Sequence, residues 1–199
     1  MQKILAFNTI LSNLNIILQN NLSIIETNVI ENKKQSEILV SSIESVLSVN
    51  KLWYNDIDIF ASITGPGNFT SIKTNLAVLK ALQISTNKKI VTNNMFEIIS
   101  FEQNQCDIIV LDLNNAKYYI KDKNSYYIIY KTDIKNFLEE NKNATILTND
   151  RGIVGDNIIL SDFSIEKWAK LNCYKAQNQL FTNKIEPLYI EEAKITKRK

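Results

Sequence analysis

The chain has 199 residues, 45% of them apolar and 22% charged, with a net charge of +2. That excludes a disordered chain, and the charge by itself gives no reason to expect nucleic-acid binding. There is no histidine, so the commonest general base and metal ligand is missing. The two cysteines, Cys106 and Cys173, cannot make a disulfide framework or a four-ligand zinc site.

The chain opens with an uncharged stretch from Ile4 to Ile25, but Asn8, Thr9, Asn13, Asn15, Gln19, Asn20 and Asn21 interrupt it too often for a membrane span. No apolar signal segment with a cleavage site follows Lys3. A soluble, cytoplasmic protein with reduced thiols is expected, with no membrane partner. Three short strands are predicted at Lys3–Phe7, Asn15–Gln19 and Leu22–Thr27, with a hairpin turn at Gln19–Asn21. A helix follows over Gln35–Ser48, where Leu39, Ile43, Val46 and Leu47 recur at helical spacing and Ser36 and Glu37 mark the start. Asp56–Thr64 reads as an inner strand, Ser71–Ser85 as a second helix and Lys89–Thr92 as another strand. A meander followed by a crossover makes a mixed sheet with helices on its faces.

Met95–Gln105 reads as a connector. Beyond it, strands are predicted at Asp107–Leu113, Lys117–Lys121 and Tyr126–Lys131, then a helix at Asp133–Asn141, a strand at Ala144–Thr148 and a helix at Ser164–Tyr174. The order of elements in the second half echoes the first. Two lobes are therefore expected, 1–104 and a smaller, less regular 105–199, with no flexible linker between them.

Between the inner strand and the second helix lies "TGPGNFT", which takes two of the four glycines and one of the two prolines. Gly65, Pro66 and Gly67 can make a tight turn, and glycine lets another backbone come close. A turn leading into a helix is also a natural anion site, although Pro66 lacks an N–H and no Walker or dinucleotide glycine pattern is present. A structural turn and an anion or nucleotide contact both remain open. On the helix that follows, Ile72, Leu76 and Leu79 form one apolar stripe, and Ala77, Val78, Ala81 and Leu82 a second. Two stripes imply burial on two sides, within the chain or against a partner. Catalytic groups are scarce. Asn8 ends the first strand where chemistry would call for an acid. Asp112 ends a later strand without a partner at a telling spacing, and Ser62 and Ser71 have no histidine to activate them. "KITKRK" at 194–199 reads as a solvated basic tail, with a tRNA or phosphate contact as the alternative.

"KILAFNT" (3–9), "KKQSEILVSSIESVL" (33–47), "ITGPGNFTSIKTNLAVLKAL" (63–82), "DLNNAKYY" (112–119) and "PLYI" (187–190) together resemble the TsaB (YeaZ) family. The resemblance is dense over the first 120 residues and thin afterwards. It implies an actin-like, sugar-kinase-type α/β fold of two ribonuclease-H-like lobes. It also implies a role in making threonylcarbamoyladenosine beside the anticodon of tRNAs that read codons starting with A. The implied part is a scaffold without catalysis of its own. It pairs with a TsaD-like catalytic subunit, is joined by a TsaE-like ATPase, dimerises when alone and meets tRNA only through the complex. No firmly bound cofactor is implied, and ATP or ADP only at the level of the complex.

The implied partner interface is a bundle made by the two helices. Its expected residues are Ser36, Glu37, Leu39, Ile43, Val46, Leu47, Ile72, Leu76 and Leu79. The loop residues Gly65, Pro66, Gly67, Phe69, Thr70 and Lys73 are the expected nucleotide or partner contact. The chain departs from the family where a polar group would serve chemistry. Asn8 replaces the acid, Gln35-Ser36-Glu37 stands for His-Ser-Glu, Thr70-Ser71-Ile72-Lys73 for Thr-Gly-Leu-Arg, and Asp112-Leu113-Asn114 for Asp-Ala-Arg. Two rival readings are an ATP-dependent phosphotransferase of the same fold, which needs the missing acid, and a zinc peptidase, which has no evident ligand triad.

Overall fold

A computed structural model describes residues 2–11, 13–31, 34–103, 105–113, 116–123 and 125–190. The chain forms two units: Met1–Phe101 with Phe163–Leu188, and Glu102–Asp162.

In the first unit, β1 (Lys3–Asn8), β2 (Leu14–Asn20) and β3 (Ser23–Ile30) form an antiparallel meander. Strands β4 (Ile59–Ile63) and β5 (Lys89–Asn93) then join parallel to β1, giving the order β3-β2-β1-β4-β5. Ala6 of β1 lies between Ile17 of β2 and Ala61 of β4. Strand β4 is buried at every residue, as its apolar run requires.

Helices α1 (Gln35–Val49) and α2 (Phe69–Thr86) pack one apolar face each against one side of this sheet. Leu39, Ile43, Val46, Leu47, Leu79 and Leu82 join Leu5, Phe7, Leu14, Ile16 and Phe60 in a single core. The short helix α3 (Met95–Ser100) arises inside the expected connector. Asn94 and Glu97 cap it reciprocally, and its four buried residues are Met95, Phe96, Ile98 and Ile99.

The strand expected from Asp56 begins only at Ile59. Tyr54–Asp56 forms a 3-10 turn, and the Asp58 carboxylate accepts the Lys3 N–H at 2.8 Å, ending the approach to the sheet.

The second unit contains β6 (Ile108–Asp112), β7 (Lys117–Lys121), β8 (Tyr126–Tyr130), α4 (Ile134–Glu140), β9 (Ile146–Thr148) and β10 (Ile158–Leu160). Its sheet order is β10-β9-β6-β7-β8. Counted along the chain within each unit, both sheets run 3-2-1-4-5, so the fold is the actin-like α/β arrangement of two mixed sheets flanked by helices.

One expectation needs correcting. The sequence division places all of 105–199 in the second lobe, yet α5 (Ile165–Gln177) packs against β1, β2 and β5 of the first. Trp168, Ala169, Asn172, Cys173 and Ala176 are buried there. Gln19 donates to the Ala169 carbonyl at 3.0 Å, and Lys175 reaches both the Thr92 carbonyl and Glu97. A helix that is apolar along one side has to cover a sheet face, and this one covers the face that α1 and α2 leave open.

Candidate functional site

The Gly-Pro-Gly loop is held from several sides. Thr64 N–H donates to the Asn93 carbonyl at 2.8 Å, and Met95 N–H donates to the Gly65 carbonyl at 2.9 Å. The chain returning after α5 then runs beside β5: Thr182 N–H donates to Ile90, and Leu188 N–H donates to the Thr64 carbonyl, each at 2.9 Å. Gly65 has φ +125°, a conformation that side chains disfavour, and a Cβ there would lie 2.6 Å from the Leu188 carbonyl oxygen. A Cβ on Gly67 would overlap Ile10. The molecule that comes close to the bare backbone is the chain itself, through the same Pro187-Leu188 that the sequence singles out in "PLYI". Gly65 and Pro66 are buried, Gly67 is half-buried, and Phe69, Thr70 and Lys73 are exposed.

The start of α2 is capped internally. The Asn68 side chain accepts from Thr70 N–H at 2.9 Å and Ser71 N–H at 3.3 Å, and Ile72 N–H donates to the Asn68 carbonyl. The cap is Asn68, and its side chain occupies two of the donors that an anion would need. Lys73 lies over the Phe69 ring at 4.1 Å, a cation–π contact on the outer surface.

Behind the loop is a buried amide network that sequence reasoning missed. Thr9 donates to Asn75 Oδ1 through its N–H (3.1 Å) and its hydroxyl (2.9 Å), and Asn75 Nδ2 donates to Asn8 Oδ1 at 3.3 Å. Ile10 N–H also donates to Asn8 Oδ1, and the Ser62 hydroxyl donates to the Phe7 carbonyl. One signal was available: Asn75 is a polar residue beside the aliphatic stripe of α2. The network ties α2 to the end of β1, and none of its groups exchanges a proton near neutral pH.

The expected interface residues divide sharply. Leu39, Ile43, Val46, Leu47, Ile72 and Leu79 are at most 3% exposed and Leu76 is 9% exposed. All seven are buried within the chain, and Leu39, Ile43, Val46, Leu47 and Leu79 pack in the core with the strands of their own unit, so their assignment as partner anchors is corrected. Ser36 and Glu37 are exposed, and Glu37 pairs with Lys34 at 3.3 Å. The second stripe of α2 splits. Leu82 is buried and Val78 half-buried, while Ala77 and Ala81 face outward beside Ile84, which is 71% exposed. Val40 and Val49 on α1 and Trp53 just beyond it are exposed too.

In the second unit, Asp112 is paired with Lys131, and its backbone exchanges two hydrogen bonds with Asn149. The Tyr118 hydroxyl donates to Asp150. Burial and that carboxylate push the tyrosine well above its ordinary pKa, while the hydroxyl helps hold Asp150 below the usual carboxylate range. Burial raises the Cys106 and Cys173 thiols, the reverse of an activated nucleophile. Among the described residues no group of three or more Cys, Asp or Glu is placed to hold a metal ion, and no helix is long and apolar enough to cross a membrane. Asn114 and the tail at 194–199 lie outside the described residues.

No known family's sequence profile matches the chain, and no curated protein matches it in sequence. Solved structures do match in shape. An uncharacterised protein of Pseudomonas aeruginosa with similarity to peptidase YeaZ superposes with a TM-score of 0.68 at 12% identity, over 96% of this chain and all of the other. YeaZ from Pseudomonas aeruginosa superposes with a TM-score of 0.65 at 12% identity, over 95% of this chain and all of its own. The chain therefore has the fold of the YeaZ structures over nearly all of its length.

Proposed function

We propose that the chain is a TsaB-like, non-catalytic partner subunit in tRNA threonylcarbamoylation, organising a TsaD-like catalytic subunit that a TsaE-like ATPase joins. It meets tRNA through that complex and works in the cytoplasm. The observation that carries this reading is the outward face of α2. There Ala77, Ala81 and Ile84 present small and aliphatic side chains to solvent, on a helix whose other side is already committed to the core. Small residues let a second helix approach closely. The same surface serves a homodimer when the protein is alone. A stable contact covers on the order of 1,600 Å², more than this stripe alone, so further exposed surface of the first unit takes part. The amides at the end of β1 support a scaffold over a phosphotransferase, because Asn8 and Asn75 bind neither metal nor proton as a carboxylate would.

The test is Ala77→Glu combined with Ile84→Glu. The folded state is expected to persist, co-purification with the TsaD-like subunit to be lost, and threonylcarbamoyladenosine in bulk tRNA to fall. Co-purification that survives both changes removes the proposed surface. ATP hydrolysis by the pure chain would favour the phosphotransferase reading.

A further inference from the structure

Five of the eight tyrosines fall between Lys117 and Lys131, on the β7–β8 hairpin. Register sorts them. Tyr118, Tyr127 and Ile129 point to the side packed by Phe137 and Leu138 of α4. The other side of the ladder pairs Lys117 with Tyr130, Tyr119 with Ile128, and Lys121 with Tyr126. Its outer rungs carry the exposed rings: Tyr126 is 42% and Tyr130 57% exposed, on a strand at the edge of the sheet. Between them Tyr119 on the same side is buried, at 7% exposure, so only the two outer positions reach solvent, and there any strand-forming residue would serve the fold.

Charge follows the same division. Lys117 and Lys121 stand opposite the two exposed rings, and Lys123 continues on their side, paired with Asp107 at 3.2 Å. Asp122 is engaged in the hairpin turn with Ser125. Asp112 and Asp150 are tied to Lys131 and Tyr118, the residues of the opposite side. Among the described residues, lysines thus outnumber acids on this side of the hairpin, beside exposed aromatic rings. Lys117 Nζ already lies 5.3 Å from the centre of the Tyr130 ring, so a cation and a π-face sit together where the phosphate and base of one nucleotide would fall.

We infer that this face of the β7–β8 hairpin binds single-stranded nucleic acid, with bases stacking on Tyr126 and Tyr130 and phosphates meeting Lys117 and Lys121. The two rings are about 13 Å apart along the strand, a separation that suits bases splayed from a flexible strand and not bases stacked in a duplex. This inference is independent of the helix surface proposed above, and the two can fail separately.

The experiment titrates the full chain into a labelled oligouridylate of about twelve nucleotides, with oligothymidylate and a blunt RNA duplex as parallel arms. Single strands are expected to bind and the duplex not to; the two single strands separate RNA from DNA preference. Affinity should fall about five- to tenfold between 50 and 150 mM salt if two or three phosphates are neutralised. Tyr126→Ala and Tyr130→Ala should each weaken binding by about fivefold to a hundredfold, and Tyr126→Phe and Tyr130→Phe should keep it, because stacking needs the ring and not the hydroxyl. Lys117→Gln with Lys121→Gln should flatten the salt dependence, which keeps the test alive if an alanine variant fails to fold. Absence of binding at low salt, equal binding by the alanine variants, or a shift in oligomeric state with no change in oligonucleotide binding would overturn the inference. The last result would make this edge a contact between copies of the chain.

Discussion

The two units share one strand order and differ in how their sheets are covered. In the first, α1 and α2 close one side and α5 closes the other, so β1, β2 and β4 are buried almost throughout. In the second, α4 has seven residues, β9 and β10 have three each, and β8 remains only half-buried with exposed ends. Topology is thus the cheaper part of this fold, and the helices that cover it decide which sheet becomes a rigid core and which keeps a usable face.

The sharpest break in the comparison should come from the cores. Leu79→Ala removes a fully buried side chain between α2 and the sheet, and about 2–5 kcal/mol of stability should go with it. Leu138→Ala in α4, where the side chain is only partly buried, should cost clearly less. Chemical denaturation of both variants checks this, and equal losses would mean that the second unit is as tightly packed as the first.

Glycine offers a finer contrast. Gly65→Ala meets both an unfavourable φ and the Leu188 carbonyl, so a loss of about 1–3 kcal/mol is expected. Gly155→Ala meets only the Ile158 side chain at 3.3 Å, and the stiffer unfolded chain offsets part of that, leaving it within about 1 kcal/mol of the parent. Thermal melts of the pair suffice to compare them.

The smallest effect concerns acid. Asp150 has a folded pKa below its ordinary value, so its contribution is present above the usual carboxylate range and is lost as pH falls through the lowered value. Tyr118→Phe removes the leading cause and should flatten that loss. Denaturation midpoints measured from neutral to acidic pH report it, and identical slopes for parent and variant would show that the hydroxyl does not set the shift.

Much of this architecture was readable because the apolar runs of the first unit alternate with two well-formed helical periods. Leu39, Ile43, Val46 and Leu47 repeat cleanly, and α1 lies where they place it. The helix α3 escaped because six residues hold too little periodicity, and β10 because three residues hold almost none. Helix α5 was found, but nothing in its own spacing says which sheet it covers. The site was legible only in outline. The wheel of α2 shows two stripes without saying which faces inward. The bulky stripe went to the sheet, where burial returns more free energy per side chain, and the alanines were left outside. Asn75 and the Leu188 contact depend on residues far apart in the chain, which no local pattern connects.

The last stretch of the first unit has a consequence for synthesis. Met1–Phe101 lacks α5 and the segment that closes over Gly65 until residue 188 has been made. At about 5–20 residues per second, roughly 4–17 s separate the two ends of that unit on the ribosome. During that interval the nascent sheet has one uncovered greasy side, which makes it a natural client for a chaperone, and any message truncated before α5 yields a polypeptide that cannot shield it.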